Sequence, residues 1–499
     1  MYVAPNSIIY LLSNVGLDNS YTQTHYFESV GEQHAYFTSH AKHTLTNYSY
    51  VNQSDNHIRV NLNAEQLYTC SYMMFQNTAF GSRWFYAFIT DVRYISNNCS
   101  EITFEIDVIQ SWLKDFSLNP CYVAREHVTS DNLGDNINAE PIDVGELVGN
   151  EKELIYEQKY NLVIGVVNDD AHPGTMVDNT FSGSTLMAFT TNTSGIASAN
   201  AYLKTHGADA KNITAIYMVP DCACNASDTG TPVSYLSLKT FQSAIEPMGT
   251  LDGYTPKNKK LYTYPYNYYR VANGNGGELN IKYEYLDVPK PLLTYSATAT
   301  QPVQLGIRPN SYKNDSAFRT EVLVTTGYPV CSWANDTFSQ WVATSGSNQM
   351  ITGAINTALG LAINPTVGLI AGVRTIGSVV GGALQATKTT NTQQGSATSG
   401  GVNLSKSYGS IYGTRMSVTS KTAKVIDDFF TRYGYAINEI KQPNVVGRKA
   451  FNYVQTVDCT IRGSVFGDDA KKICDIHNKG ITYWHDHSNI GNYNVDNTL

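Results

Sequence analysis

Residues that could bind a metal ion or carry out catalysis occur in only two short clusters. His485, Asp486 and His487 place two imidazoles and a carboxylate side by side, but no further ligand lies nearby in the sequence. Cys222 and Cys224 lack a second cysteine pair at zinc-site spacing. We therefore predict no metal site. The histidines are expected in a hydrogen-bonded surface cluster and the cysteines as reduced, buried thiols, although the pattern alone does not decide the disulfide or metal status of the cysteine pair.

A glycine-rich stretch and the acidic residues give no stronger indication of a catalytic site. Residues 274–277 contain G-x-G, but a strand-like run follows, which favours a hairpin turn over a phosphate-binding loop. The sequence has no G-x-S-x-G, H-E-x-x-H or P-loop motif. No spacing of Asp and Glu proposes a carboxylate pair for glycoside cleavage. We predict no enzymatic activity and no cofactor.

The composition indicates what kind of scaffold would carry any function. Apolar residues make up 42% of the 499 residues, which allows substantial cores, while charged residues make up only 15%, below the roughly 25% of ordinary soluble domains. Neutral polar residues and 35 tyrosines fill the difference and suit strands, turns and broad interfaces. The net charge of −8 is spread without a Lys/Arg stripe, so tight nucleic-acid binding is not predicted. A mildly acidic surface would let DNA slide past.

The local patterns predict a β-rich chain. Alternation predicts strands over residues 58–62, 102–109 and 279–286, and apolar runs predict buried strands at 162–167 and 215–220. Residues 195–205 are predicted to be helical. The N-terminus has no basic region before its short apolar run, so a secretory signal peptide is not expected. No repeat of fixed period is present, so a solenoid or propeller is not supported.

Residues 350–387 depart from the rest of the chain. They contain no Tyr, Phe or Trp, and Arg374 is their only charge. Pro365 would break the segment into two helical arms of about 20–33 Å each, because proline removes a backbone donor and disfavours helix at the residue before it. Ser/Gly-rich residues 340–348 and Thr/Gly-rich residues 389–401 flank it and have the composition of flexible linkers. An apolar hairpin between two flexible linkers is suited to changing its position relative to the rest of the protein.

Two interpretations of this segment are open, a buried helical hairpin and a conditional membrane-insertion loop. The G-x-x-x-G spacings of Gly368 with Gly372 and of Gly377 with Gly381 favour the second, because small residues let helices approach closely in lipid. The residues predicted to form the membrane-insertion loop are Ile351, Ala354, Ile355, Leu359, Leu361, Ile363, Pro365, Val367, Gly368, Leu369, Ile370, Gly372, Val373, Ile376, Gly377, Val379, Val380, Gly381 and Leu384.

Several long motifs carry a resemblance to a known family. They are residues 67–77 (LYTCSYMMFQN), 84–88 (WFYAF), 104–112 (FEIDVIQSW), 123–128 (VAREHV), 259–266 (KKLYTYPY), 448–456 (RKAFNYVQT) and 480–485 (GITYWH). Together they resemble the distal tail knob, or major tail, proteins of small short-tailed phages (picovirus-type podophages) that infect Gram-positive bacteria. The matching stretches run over the whole chain and are weakest over about residues 150–250.

The resemblance implies a homohexameric, largely β-structured tube at the distal end of the virion tail. It implies contacts with other tail proteins, namely the lower collar or tail tube and a tail-tip hydrolase, and transient passage of double-stranded DNA. It further implies that a hydrophobic loop, here residues 350–387, plugs the lumen and later inserts into the host cytoplasmic membrane. Such a protein would be assembled in the host cytoplasm.

The predicted fold class is mainly β, α+β overall, with a helical hydrophobic hairpin. The predicted domains are a β-rich tube domain, an outer inserted mixed α/β domain, a second β domain, the hydrophobic loop with flexible flanks, and a C-terminal segment that completes the tube. Their ranges are 1–140, 141–255, 256–345, 346–402 and 403–499. A tail-associated cell-wall hydrolase and a receptor-binding protein are the alternative functions. A pore-forming toxin would normally need an export signal.

Overall fold

The structure is a computed structural model. It describes residues 6–48, 56–78, 81–157, 159–167, 176–177, 180–181, 184–206, 213–233, 238–273, 277–297, 299, 303–313, 323–325, 330–331 and 410–498. Within these ranges the chain forms 28 β-strands and six α-helices, so the prediction of a mainly β protein is confirmed. The chain divides into two units, Met1–Ile142 with Val425–Leu499, and Asp143–Lys424. The finer domain ranges predicted from the sequence remain a proposal.

The strands are short and spread over the whole described chain. They are β1 Ser7–Leu12, β2 Thr24–His25, β3 Ala41–Tyr48, β4 His57–Val60, β5 Tyr72–Gln76, β6 Trp84–Ser96, β7 Cys99–Ile106, β8 Phe116–Leu118, β9 Cys121–Glu126, β10 Leu147–Tyr156, β11 Tyr160–Val166, β12 Met176–Val177, β13 Thr180–Phe181, β14 Thr185–Thr190, β15 Ile213–Pro220, β16 Thr231–Pro232, β17 Leu238–Gln242, β18 Asn267–Ala272, β19 Glu278–Ile281, β20 Leu292–Ala297, β21 Leu305–Asn310, β22 Leu323–Thr325, β23 Val330–Cys331, β24 Ile411–Val418, β25 Tyr435–Lys441, β26 Phe451–Val457, β27 Ile461–Gly463 and β28 Ile481–Trp484.

The helices are fewer and mostly short. They are α1 Val30–Ser39, α2 Ala64–Leu67, α3 Val108–Trp112, α4 Thr193–His206, α5 Ser420–Tyr433 and α6 Gly467–Lys479. Three 3₁₀ turns, Lys259–Tyr262, Tyr283–Tyr285 and His487–Asn489, complete the described elements. No helix in the described ranges is long and apolar enough to cross a membrane.

The first unit, Met1–Ile142 with Val425–Leu499, contains a six-stranded sheet in the order β3-β1-β5-β6-β7-β4. Both faces of its central strands are covered. Met73 and Phe75 of β5 lie in one apolar cluster, while Tyr72 and Met74 lie in another on the opposite face. This two-sided burial explains why β5 is apolar at successive positions, since neighbouring side chains of a strand point to opposite faces.

The same unit contains a five-stranded sheet in the order β2-β28-β26-β9-β25 and a small β27-β8 pair. Strands β26 and β28 are antiparallel, and β26 also pairs with β9. Strand β9 comes from the N-terminal part of the chain and the other two from the C-terminal part. The C-terminal segment Val425–Leu499 therefore completes a sheet that the first part of the chain begins.

The second unit, Asp143–Lys424, is built from three larger sheets and one short pair. Their strand orders are β10-β24-β18-β19, β16-β14-β11-β15-β23, β17-β20-β21-β22 and β12-β13. Helix α4 contacts β14 and β11 in this unit. Strands β18 and β19 form an antiparallel pair, as the hairpin prediction requires, although residues 274–276 of the turn lie outside the described ranges.

Most local predictions match these elements, and the two that differ do so at strand ends. The strands predicted near 58–62, 162–167 and 215–220 and the helix near 195–205 correspond to β4, β11, β15 and α4. The strand predicted over 102–109 stops at Ile106, because the Asp107 side chain accepts from two backbone N–H groups and starts α3. The strand predicted over 279–286 stops at Ile281, and a 3₁₀ turn follows.

Candidate functional site

The residues of the predicted membrane-insertion loop, from Ile351 to Leu384, lie outside the described residues. None of the nineteen named positions is placed by the structure, and the predicted hairpin stays a prediction. The described residues do place the other candidates from the sequence, namely the histidine cluster, the cysteine pair and the motifs that carry the resemblance.

The histidine cluster is held by hydrogen bonds, as predicted. The Nε2 atom of His485 lies 3.1 Å from the Val445 carbonyl oxygen, and that of His487 lies 2.8 Å from the Tyr26 carbonyl oxygen. Asp486 accepts from the backbone N–H and hydroxyl of Ser488 at the start of a 3₁₀ turn. The two imidazoles therefore fasten the end of the chain to two different segments.

The cysteine pair is buried in the second unit. Burial raises the pKa of the Cys222 and Cys224 thiols to about 12 each, so both hold their protons at neutral pH. Within the described ranges, no three metal-binding side chains are arranged to hold a metal ion. A protonated buried thiol packs as a small apolar side chain and is a poor nucleophile.

The motifs that carry the resemblance form core contacts. Phe451 and Trp484 are paired across β26 and β28, and their ring centroids lie 4.7 Å apart. Tyr493 packs edge-on against both rings. The backbone N–H groups of Ala450 and Phe451 donate to the Asn497 side-chain oxygen, which ties the C-terminal segment to β26. These contacts have a packing role rather than a chemical one.

His127, from another shared motif, is a buried structural acceptor. Its Nδ1 atom accepts a hydrogen bond of 2.7 Å from the Tyr453 backbone N–H, and its Nε2 atom lies 2.9 Å from the Thr431 carbonyl oxygen. The network therefore assigns the proton to Nε2. Burial lowers the pKa of His127 to about 4, so the imidazole is neutral at physiological pH.

Asp107, in the motif of residues 104–112, is a buried helix cap. Its Oδ1 atom accepts from the backbone N–H groups of Ile109 and Gln110, and its Oδ2 atom accepts from the Tyr72 hydroxyl at 2.8 Å. Burial raises the pKa of this carboxyl to about 6, although the three donors oppose the shift. Burial is the main cause of the raised pKa of Asp107, and the residue acts as a helix cap.

Arg415 is a buried hydrogen-bond donor in the second unit. Its side chain is 1% exposed and donates to the carbonyl oxygens of Glu246 and Thr250, each at 2.9 Å. It also forms an ion pair with Glu151 at 2.7 Å. The guanidinium thus holds a loop against β24 through two carbonyl oxygens and pairs with Glu151 of β10, which is a structural role.

An exposed apolar row was not predicted from the sequence. Tyr122 of β9 is paired with Ile440 of β25 on one side and with Val457 of β26 on the other. Paired residues of neighbouring strands lie on the same face, so the three side chains form a continuous row. They are exposed by 40%, 79% and 46% respectively. We call these three residues the exposed apolar row.

The exposed apolar row has the character of a contact surface. Single exposed apolar side chains are ordinary, whereas adjacent ones mark places where another surface packs. The sequence did contain an indication of this contact surface. Strands β9 and β26 carry apolar residues on both faces, which is typical of strands that are covered on both sides. The three residues of the exposed apolar row come from strands that are not consecutive in the chain, so this pattern did not show that they would be neighbours.

The described residues thus show a β-rich scaffold with buried structural polar groups and an exposed apolar row, which is the character of a structural subunit. The family model for the C-terminal domain of the tail knob protein gp9 of Bacillus phage phi29 matches residues 233–498, and the model for the N-terminus of caudoviral major tail proteins matches residues 5–117. The chain belongs to the phage tail knob protein family.

Individual relatives agree with this assignment over nearly the whole chain. The chain is 25% identical to tail knob protein gp9 of Bacillus phage phi29 and 25% identical to that of Bacillus phage B103, and each alignment covers 98% of both chains. The solved tail knob protein gp12 of bacteriophage C1 has the same fold, with a TM-score of 0.63, 14% identity and 97% coverage of both chains. The chain is therefore a structural component of a phage tail.

Proposed function

We propose that the protein forms a homohexameric tube at the distal end of the tail, through which double-stranded DNA passes during ejection. The family membership supports the structural role, and the resemblance of the motifs supports the hexamer. The net charge of −8 without a basic stripe suits a lumen that repels DNA rather than holding it. DNA would then pass without sequence-specific binding. Assembly would take place in the host cytoplasm, next to the lower collar or tail tube and a tail-tip hydrolase.

The exposed apolar row is the observation that supports assembly through the first unit. Full burial of one large aliphatic side chain contributes about 1.5–3 kcal/mol, and a ring repeats every contact at each interface. Ile440 is 79% exposed in the single chain, so nearly its whole side chain is available for burial against a neighbouring copy. The proposal assigns that neighbour to a second copy of this chain.

The test of assembly is the mass of the purified protein in solution. Ile440→Lys should reduce the hexamer to smaller species, since the lysine ammonium would be buried in the contact. Val425→Lys is the matched control, because Val425 is an exposed, branched aliphatic residue of α5 at 67% exposure and lies outside the row. Light scattering after size exclusion reports the mass, and circular dichroism checks the fold. An intact hexamer of the Ile440 variant would exclude the row from the contact.

We further propose that residues 350–387 plug the lumen and then insert into the host cytoplasmic membrane. Their composition supports this, because they are apolar, free of aromatic residues and rich in glycine. As helices, the arms would satisfy their own backbone hydrogen bonds, as hydrocarbon requires. The glycine faces of Gly368, Gly372, Gly377 and Gly381 would pack arm against arm, while Ile, Leu and Val side chains contact lipid.

Dye leakage from liposomes tests insertion separately from assembly. The intact hexamer should release dye, and a variant lacking residues 345–400 should remain hexameric and release none. A variant with leucine at the four glycines should assemble but leak less, because the close approach of the arms is lost. Equal leakage by the deletion variant, or collapse of its hexamer, would refute the insertion role while leaving the tube intact as a proposal.

A further inference from the structure

The first unit contains a half-open cavity of about 410 Å³ between the loop that follows β9 and the strand β25. The volume falls in the lower part of the range of about 300–1,000 Å³ that is usual for small-molecule pockets. The cavity is lined by mostly polar residues of that loop, by three residues of β25 and by Asn444. Both walls come from described residues of the same unit.

The strand wall presents charged groups over an apolar floor. Glu439 and Lys441, which share one face of β25 as alternate residues, line the cavity together with Ile437. Lys441 forms an ion pair with the fully buried carboxylate of Glu126. Among the described residues, none is bonded to the Glu439 carboxylate, which is exposed. Glu439 is thus an acceptor available to a ligand.

The loop wall is fixed by its own hydrogen bonds. The Ser130 hydroxyl donates to the Asp135 carboxylate at 2.8 Å, and the Asn136 side-chain amide donates to the Ser130 carbonyl oxygen at 3.1 Å. Thr129 lines the cavity beside them, and its exposed hydroxyl can both donate and accept. A pre-formed wall lowers the entropy lost when a ligand binds.

The third side of the cavity is formed by Asn444, whose side-chain amide is held by a hydrogen bond. The Asn444 side-chain N–H donates to the His127 carbonyl oxygen at 2.8 Å, and its backbone N–H donates to the buried carboxylate of Glu126 at 2.8 Å. The side chain is therefore held in one orientation, and its amide oxygen is an additional acceptor. Three sides of the cavity thus combine hydroxyl, amide and carboxylate groups, and hydrogen bonds hold the loop and the Asn444 amide in place.

The chemistry of these walls selects the class of ligand. Mixed donors and acceptors around an apolar floor match a compact ring that carries several hydroxyls on one side and C–H groups on the other. Two carboxylates, those of Asp135 and Glu439, line the cavity, whereas the ammonium of Lys441 is already paired with Glu126, so phosphate and carboxylate ligands are disfavoured. We propose that this cavity binds a neutral monosaccharide unit of a surface glycan.

The site is separate from the proposed subunit contact. Ile440 lies between Glu439 and Lys441 on β25, so its side chain points to the opposite face of the strand from theirs. A loss of sugar binding and a loss of assembly can therefore be produced by different variants. The inference does not depend on the hexamer, on DNA passage or on the membrane-insertion loop.

The test is saturation-transfer NMR on the full chain with N-acetylglucosamine and with glucose as probes. Glycerol phosphate serves as the anionic probe. We expect a saturable signal from at least one neutral sugar and none from glycerol phosphate. Glu439→Ala should weaken binding about tenfold, because one hydrogen bond to a charged group is lost. Thr129→Tyr should abolish it by filling the cavity.

Two controls keep these variants interpretable. Glu439→Gln retains an acceptor and should bind within a few-fold of the unaltered chain. Asp91→Ala removes one exposed carboxylate on β6, away from the cavity lining, and should bind normally. No signal from any neutral sugar with the unaltered chain would overturn the proposal. A signal that survives Thr129→Tyr, or an equal signal from glycerol phosphate, would also overturn it.

Discussion

Protonation of His127 should destabilise the first unit in mild acid. The imidazole can accept from the Tyr453 N–H only through an unprotonated Nδ1, so the native structure requires its neutral form. Its pKa is lowered by burial from 6.5 to about 4. A group with a depressed native pKa binds fewer protons when folded. The unfolded chain is therefore favoured as the pH falls through the window between these two values.

The magnitude follows from the two pKa values. Lowering the pH from about 8 to about 4.5 should reduce the free energy of unfolding by about 2.5 kcal/mol through His127 alone. The contribution is fully present above pH 6.5 and is lost as the pH falls towards 4. Two other buried histidines, His25 and His477, have pKa values lowered to about 3 and about 4 and act in the same direction.

The assay compares urea denaturation of the unaltered chain and of His127→Gln at both pH values. The variant is expected to be less stable at about pH 8, because a buried hydrogen bond is lost. The decisive quantity is the difference between the two pH values, which should be smaller in the variant by about 2.5 kcal/mol. His43→Gln on edge strand β3 is the control and should retain the full pH dependence. An unchanged pH dependence in His127→Gln would refute the assignment of a neutral acceptor.

Three further predictions concern packing and backbone geometry. Phe451→Ala should lower the free energy of unfolding by about 3–5 kcal/mol, measured by thermal and urea denaturation, because a fully buried ring is removed. Gly434→Ala should prevent normal folding or cost several kcal/mol, because the added Cβ would overlap the Glu126 carbonyl oxygen at a φ of +65°. Gly253→Ala, with a φ of +82° and open space around the added Cβ, should cost only about 1 kcal/mol. Arg415→Met should lower stability by about 3 kcal/mol in the same assays, because two carbonyl oxygens lose a buried donor and Glu151 loses its ion pair.

Each of these predictions has a contrary result. A loss below about 1 kcal/mol for Phe451→Ala would mean that the ring cluster is not the core of the C-terminal motif. Equal costs for the two glycine variants would contradict the overlap with Glu126, since both have positive φ. Unchanged stability of Arg415→Met would show that water replaces the guanidinium at the two carbonyl oxygens.

The fold class and most elements were predictable from local patterns. Alternation located β4 and β7, and continuous apolar runs located β11 and β15, because these patterns depend only on which faces are buried. Strand ends were less predictable. The end of β7 depends on the Asp107 side chain turning back to cap α3, and an Asp in an alternating run gives no sign of that contact.

Contacts between strands that are distant in the sequence could not be predicted from local patterns. Tyr122 meets Ile440 and Val457 only because strands more than three hundred residues apart become neighbours in one sheet. Each strand alone shows an exposed apolar residue, which is ordinary. The polar cavity could not be predicted for the same reason, because its loop wall and its strand wall come from distant parts of the chain. Composition identified residues 350–387 as unusual, since that signal is local.

The residues that identify the family differ from those proposed to perform its function. Phe451, Tyr453 and Trp484 belong to shared motifs, and their side chains or backbone groups form buried contacts within the first unit. Packing restricts such positions strongly, because a core accepts few shapes. A contact between subunits or with lipid accepts many apolar side chains, so we expect Ile440 and the segment 350–387 to tolerate apolar substitutions better than the motifs do. Substitutions at the motifs should therefore unfold the protein, whereas substitutions at the exposed apolar row or in the segment should leave a folded subunit that fails to assemble or to open membranes.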